Sequence, residues 1–200
     1  MAKRIGVLFA GCGAWDGTDP MEAILALLAI ERAGGRAEPL AARRMQLDVV
    51  DHATAQVSEA AARDLFSESC RLSRTRVTPL DEARFAALDA LLLPGGFGAP
   101  KNCMSGFAQP GTARRLHPEE ERLLRHFMEA RKPVGSISLG RALVAAASGE
   151  SLGPEPLALA ATEVEADEAR RFYYTPGFLV TDRIAEVAAG VEKLVSRLVA

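Results

Sequence analysis

The decapeptide Lys132-Pro133-Val134-Gly135-Ser136-Ile137-Ser138-Leu139-Gly140-Arg141 places the tightest constraint on what this 200-residue chain can fold into. Pro133 stops any preceding helix, and Val134 to Ile137 are long enough only for a buried parallel strand. Ser138 ends the apolar run, and Arg141 to Gly149 read as helix. A residue at such a strand-to-helix turn stands above the C-terminal edge of the sheet with a helix N-terminus beside it, where nucleophiles are mounted. A second apolar strand, Ala87 to Leu93, ends in Pro94-Gly95-Gly96-Phe97-Gly98, which brings further backbone N–H donors to that edge.

The remaining pattern supports a parallel sheet. Ile5 to Phe9 is an apolar strand, followed by the turn Gly11-Cys12-Gly13-Ala14-Trp15-Asp16-Gly17. Asp19 is placed to cap a helix that starts at Pro20, carries Glu22 three residues after the cap, and stops at Gly34-Gly35. Arg36 to Ala41 is the next strand, so the unit is βαβ and its strands are parallel by the right-handed crossover rule. Asp48 to His52 reads as a short extra strand, Ser58 to Arg71 as a helical excursion, and Pro118 to Ala130 as a helix with His117 at its cap. Leu157 to Ala161 and Arg171 to Tyr174 read as short strands. The closing helix, Asp182 to Val199, repeats apolar residues at Ile184, Val187, Val191, Leu194, Val195 and Leu198, which gives it one face for the sheet.

Composition bounds the function. A hydrophobic fraction of 48% with 25% charged residues suits one globular domain over residues 1–200. A net charge of −2 gives no reason to expect nucleic acid or an acidic membrane as partner. Three cysteines, an odd number without metal-type spacing, argue against a disulfide framework and lead to the expectation of a reducing, cytoplasmic location with no metal site. The start, Met1 to Cys12, superficially resembles a signal or lipoprotein segment, but its apolar core is too short and is read as the first strand. No run of eighteen apolar residues occurs.

Two familiar sites fail on spacing. Gly11, Gly13 and Gly17 give G-x-G-x-x-x-G, and the helix opens only after Asp19-Pro20, so a dinucleotide fingerprint is missing and no cofactor is expected. His52, His117 and His126 all precede Ser138, whereas an α/β-hydrolase triad needs its histidine after the nucleophile. Glu22 has two readings: a capping-box glutamate reaching back to the cap backbone, or a carboxylate facing the Ser138 turn from the first helix.

Taken together, Gly11-Cys12-Gly13, Asp16-Gly17, Glu22-Ala23, Val50-Asp51-His52, Ser67-Glu68-Ser69, Pro94 to Ala99 with Lys101-Asn102, Lys132 to Gly135, Thr175-Pro176, Ile184-Ala185-Glu186 and Lys193 to Arg197 resemble the ElbB-like proteins of the ThiJ/PfpI superfamily. That superfamily has a class I glutamine-amidotransferase-like fold. The resemblance implies a single-domain, flavodoxin-like three-layer sandwich with a mainly parallel sheet, commonly a homodimer. It implies cofactor-independent, glyoxalase-type chemistry on a small carbonyl metabolite such as methylglyoxal. By position it makes Glu22 the site carboxylate, puts the turn donor near Gly96 and the second donor at Leu139, and places the nucleophile at Ser138. The relatives carry cysteine there, and a thiol is far more easily ionised than an alcohol, so activity is expected to be weak or altered. The alternative is a catalytically silent homologue that binds a metabolite or partner protein in the same cleft. Cys12 is a substitute nucleophile or a small structural cysteine. Gly95, Asn102 and His52 are candidate substrate contacts, and Arg141 either holds a substrate anion or is a surface helix arginine.

Overall fold

The computed structural model describes residues 1–74, 76–109, 111–150 and 158–200. In chain order the elements are β1 (Arg4–Leu8), α1 (Pro20–Arg32), β2 (Arg36–Ala41), β3 (Val50–Asp51), β4 (Gln56–Val57), α2 (Leu65–Ser73), β5 (Thr78–Pro79), β6 (Ala90–Leu93), α3 (Gly98–Cys103), β7 (Met104–Ser105) and β8 (Arg115–Leu116). They are followed by α4 (Pro118–Glu129), β9 (Val134–Ile137), α5 (Arg141–Ser148), β10 (Glu165–Asp167), β11 (Phe172–Thr175) and α6 (Ile184–Val199). Seven strands make one sheet in the order β10-β11-β9-β6-β1-β2-β5, parallel throughout except for antiparallel β10 at one edge. This is a flavodoxin-like α/β sandwich with a mainly parallel sheet.

Alternation along the central strands splits the core in two. Ile5, Val7, Ala90, Leu92 and Ile137 face α1 and α6, where they meet Ala23, Ala26, Ile30, Val187, Val191 and Leu194. Leu8, Leu91, Leu93 and Val134 face the other way, onto Leu123, Leu124 and Phe127 of α4, Ala142 and Leu143 of α5, and Leu65 of α2. Each large side chain so buried stabilises the fold by about 1.5–3 kcal/mol.

Several sequence readings shift. The helix or partly helical excursion expected over Ser58 to Arg71 is non-helical up to Asp64, whose Oδ1 accepts the Ser67 N–H at 2.7 Å and starts α2 late. The extra strand near Val50 belongs to the β3–β4 hairpin rather than to the main sheet. The strand read from Ala87 begins at Ala90, because Phe85–Ala87 form a 3-10 turn. The strand expected over Leu157 to Ala161 has residue 157 outside the described residues, while 158–161 are turn and the edge strand lies at β10.

The order around the centre matters most. From β1 the chain moves to β2 on one side, and later returns to β6 and β9 on the other. The switch point between β1 and β6 lies at the strands' C-terminal ends, the standard ligand position of such sheets.

Candidate active site at the switch point

The loops after β1, β6, β9 and β11 meet above that edge of the sheet. Asp19 caps α1, its Oδ1 accepting the N–H groups of Met21 and Glu22 at 2.8 and 3.2 Å. The Asp19 N–H that a capping-box glutamate would accept donates instead to the Gly95 carbonyl at 2.9 Å, so the capping-box reading is corrected: the Glu22 side chain leaves the helix end for the site. Oε2 accepts the Gly95 N–H at 2.8 Å and Oε1 the Phe178 N–H at 3.3 Å, and Ser138 donates its hydroxyl to the same carboxylate. Glu22 is 1% exposed. Burial, with Asp19 nearby, pushes its carboxyl up to about 8 against the lowering effect of those three donors.

Ser138 is 4% exposed and sits at φ +50°, the left-handed region a β9-to-helix elbow demands. The Leu139 N–H donates to Ser138 Oγ at 2.5 Å. The approach is so close that only glycine fits around it. A Cβ at Gly95 would stand 2.5 Å from Ser138 Oγ and 2.8 Å from Glu22 Oε2, and one at Gly177 would stand 2.5 Å from Glu22 Oε1.

The structure brings Glu22, Ser138, Leu139 and Gly95 together. The β6-turn donor is Gly95 rather than Gly96; Gly96 takes φ +97° and packs its Cα face on the Gly17–Asp19 backbone. Asn102 is drawn elsewhere: its amide donates to the carbonyls of Ala10 and Asp16 at 2.9 and 2.8 Å and accepts the Leu47 N–H at 2.8 Å. It is a clamp on the β1 turn, not a substrate contact. Cys12 is half-buried beside Glu68, Arg71, Asp16 and Arg63, and burial and the nearby Glu68 push its thiol up. His52 touches Val50 and Trp15 on the hairpin side. Arg141 stacks its guanidinium 4.7 Å from the Tyr174 ring centroid and lines a separate recess of about 180 Å³ with Ser136 and Tyr173. His117 occupies the α4 cap position without a side-chain capping bond. Sequence reasoning missed Gly177 and Phe178; the only signal was a glycine directly after Thr175-Pro176.

Among the described residues no group of His, Cys, Asp and Glu is arranged to hold a metal ion, and no helix is long and apolar enough to cross a membrane.

No protein-family model matches the chain. It is 29% identical over 98% of its length to an ES1 protein homolog, mitochondrial, of Rattus norvegicus, of which it covers 82%. It is 38% identical over 72% of its length to the human glutamine amidotransferase-like class 1 domain-containing protein 3, mitochondrial, of which it spans 53%. Among solved structures, an isoprenoid biosynthesis protein with an amidotransferase-like domain from Ehrlichia chaffeensis superposes with a TM-score of 0.89 at 25% identity, with 98% of each chain covered. A DJ-1 superfamily protein from Salmonella typhimurium follows the fold with a TM-score of 0.56 at 19% identity, over 98% of this chain and 90% of that one. The homologues of this chain are ES1 and glutamine amidotransferase-like class 1 proteins, and its structural neighbours carry the ThiJ/PfpI and DJ-1 fold.

These names correct one expectation. The curated relatives are named as mitochondrial, against the cytoplasmic location read from the cysteines. Unpaired thiols indicate reducing surroundings without saying which compartment supplies them.

Proposed function

We propose that this ES1 homologue carries ElbB-like, glyoxalase-type activity: cofactor-independent proton transfer on a small dicarbonyl such as methylglyoxal. The observation that carries it is the Glu22 carboxyl, buried against the elbow and titrating at about 8, where it can both take and return a proton near neutral pH. On the hydrated aldehyde, Glu22 removes the C1 proton and the electron pair forms a C1=C2 bond. The charge gathers on the C2 oxygen, which takes over the Leu139 N–H now bound to Ser138 Oγ, with the Ser138 hydroxyl beside it. The same proton is returned to C2, one C1 hydroxyl proton passes to the C2 oxygen, and the other is lost to solvent, which leaves the carboxylate of lactate. Water supplied in the hydration step balances the conversion. No covalent nucleophile is needed, so serine is compatible with this route.

The test is methylglyoxal consumption with D- and L-lactate detection. Turnover by the native protein is expected; none, under conditions where Ser138→Cys does turn over, would sink the enediolate route. Ser138→Cys keeps the elbow geometry and adds a thiol beside a general base, and is expected to raise the rate by about tenfold or more.

A second reading, a silent homologue binding a metabolite or protein, is favoured by one fact. Glu22 and Ser138 are 1% and 4% exposed, and the Gly95 and Phe178 N–H groups cover the carboxylate, as packed groups rather than open reagents.

A homodimer is also proposed. Ala23 to Ile30 is apolar without a break, and Met21, Ile24 and Leu28 form an outward stripe that is 50%, 55% and 40% exposed. A helix apolar on all sides needs cover on all sides, and a second copy of the stripe supplies an uncharged match. Ile24→Asp is expected to sediment as a monomer where the native chain sediments as a dimer; equal masses would remove this interface.

A further inference from the structure

A second buried carboxylate lies outside the candidate site. Asp16, in the turn after β1, is fully buried. Its Oδ2 accepts the Val50 N–H at 2.9 Å and has Arg63 Nη1 at 3.9 Å. Its Oδ1 has no hydrogen-bond partner among the described residues. A buried carboxylate oxygen left so is costly, and it asks for a donor.

One is within reach. His52 Nε2 lies 3.8 Å from Oδ1, on a ring that is 40% exposed. Nδ1 lies 3.0 Å from the Val50 carbonyl, which can only accept, so the neutral ring carries its proton on Nδ1. Nε2 is then a bare lone pair, and the Trp15 N–H donates to it at 3.4 Å. A proton added to Nε2 would set two donors, Trp15 N–H and Nε2–H, against each other. The nearest relief is the empty oxygen of Asp16.

We propose that Trp15, His52 and Asp16 form a proton-operated latch between the β1 turn and the β3–β4 hairpin. With the ring neutral, His52 holds Trp15; with a proton taken from solvent onto Nε2, it releases Trp15 and pairs with Asp16 Oδ1. Only hydrogen bonds are exchanged. The hairpin suits such control, because residues 51 to 57 are all exposed and its ties to the body converge on this point. The charged groups facing the ring are Asp16 from the β1 turn and Asp51, the preceding residue at the end of β3, with Arg63 competing for Asp16 from across the carboxylate. Cys12, in the same turn, lies in the field of Asp16 and Arg63. The turn also leads into the Asp19 cap, so the latch borders the proposed site without sharing a residue with it.

The chain has one tryptophan, so its fluorescence reports Trp15 alone. Emission of the full chain, followed from pH 8 to pH 5, the range in which histidines change charge, is expected to shift in a single-proton step. The step should be lost in His52→Gln, whose amide oxygen can still accept the Trp15 N–H, and kept in His117→Gln. Glu22 and Glu120 also titrate within or near this window, at about 8 and about 7, and remain in both variants. In Arg63→Gln, where the competing cation is gone, the midpoint should move to higher pH. A flat native profile, a step that survives His52→Gln, or an unmoved midpoint in Arg63→Gln would each overturn the latch.

Discussion

Glu22→Gln is expected to cut methylglyoxal turnover by about 10²-fold or more, and to make the protein more stable at alkaline pH. The first effect follows because an amide cannot take the C1 proton. The second follows from the direction of the titration. The folded carboxyl is raised from 4.5 to about 8, so the folded state holds a proton that the unfolded state has released over that interval. Stability supported by the protonated acid is complete below about 4.5 and is lost as pH rises through 8. The amide does not ionise and escapes that loss. It does turn an NH2 group toward one of two backbone N–H donors, most cheaply the longer 3.3 Å contact with Phe178, which takes back part of the gain. A net advantage of about 2 kcal/mol at pH 9, falling by about 4 kcal/mol to a net deficit near pH 5, is expected in parallel denaturant titrations. A variant less stable than the native chain at pH 9 would mean that the buried carboxylate is comfortable there and unsuited to act as a base near neutrality.

The other large effect belongs to Arg44. Its Nη2 lies 2.7 Å from Glu119 Oε2 and 2.8 Å from Glu120 Oε2, and its Nη1 donates to the Asn102 carbonyl at 3.2 Å. Glu120 is 1% exposed, and burial raises its carboxyl to about 7 even with Arg44 holding it down. Arg44→Met leaves that carboxylate with no cation and should cost about 3–5 kcal/mol at pH 8, a fall in melting temperature of about 10 °C. The loss should be smaller at pH 5, where Glu120 is neutral in the folded state. The double variant Arg44→Met/Glu120→Leu, with neither charge left buried, should recover most of it. If Arg44→Met alone melts within a degree of the native protein at pH 8, the pair is not holding the α4 start to the loop after β2.

What the sequence disclosed and what it withheld divides along physical lines. β2 and β9 were legible to the residue, β2 because Gly34-Gly35 end the helix just before it, and β9 because Pro133 and Ser138 bracket a short buried run. α3 was not, because a six-residue helix containing a proline, with Lys101 and Asn102 buried, exists only through tertiary partners such as Asp48 for Lys101. β5, two residues at the sheet edge, has no periodicity to detect. The Glu22 pattern D-x-x-E read locally as a cap, and lost to a donor 73 residues away and another 156 residues away. Likewise Asn102 carries the signature of a site residue but spends all its hydrogen bonds on backbone.

Those two separations also bear on how the protein comes to be folded. The β1–α1–β2 unit is built from near neighbours, whereas Glu22 reaches its final surroundings only after Gly95 and Phe178 have been delivered across large loops, and distant closures are slow. During synthesis, residue 178 leaves the ribosome long after residue 22. Until then the glutamate at the head of the first helix is an ordinary acid, ionised at neutral pH. The proton it gains on burial is therefore a time stamp: chains that have acquired it are those in which both halves of the sheet have closed on each other.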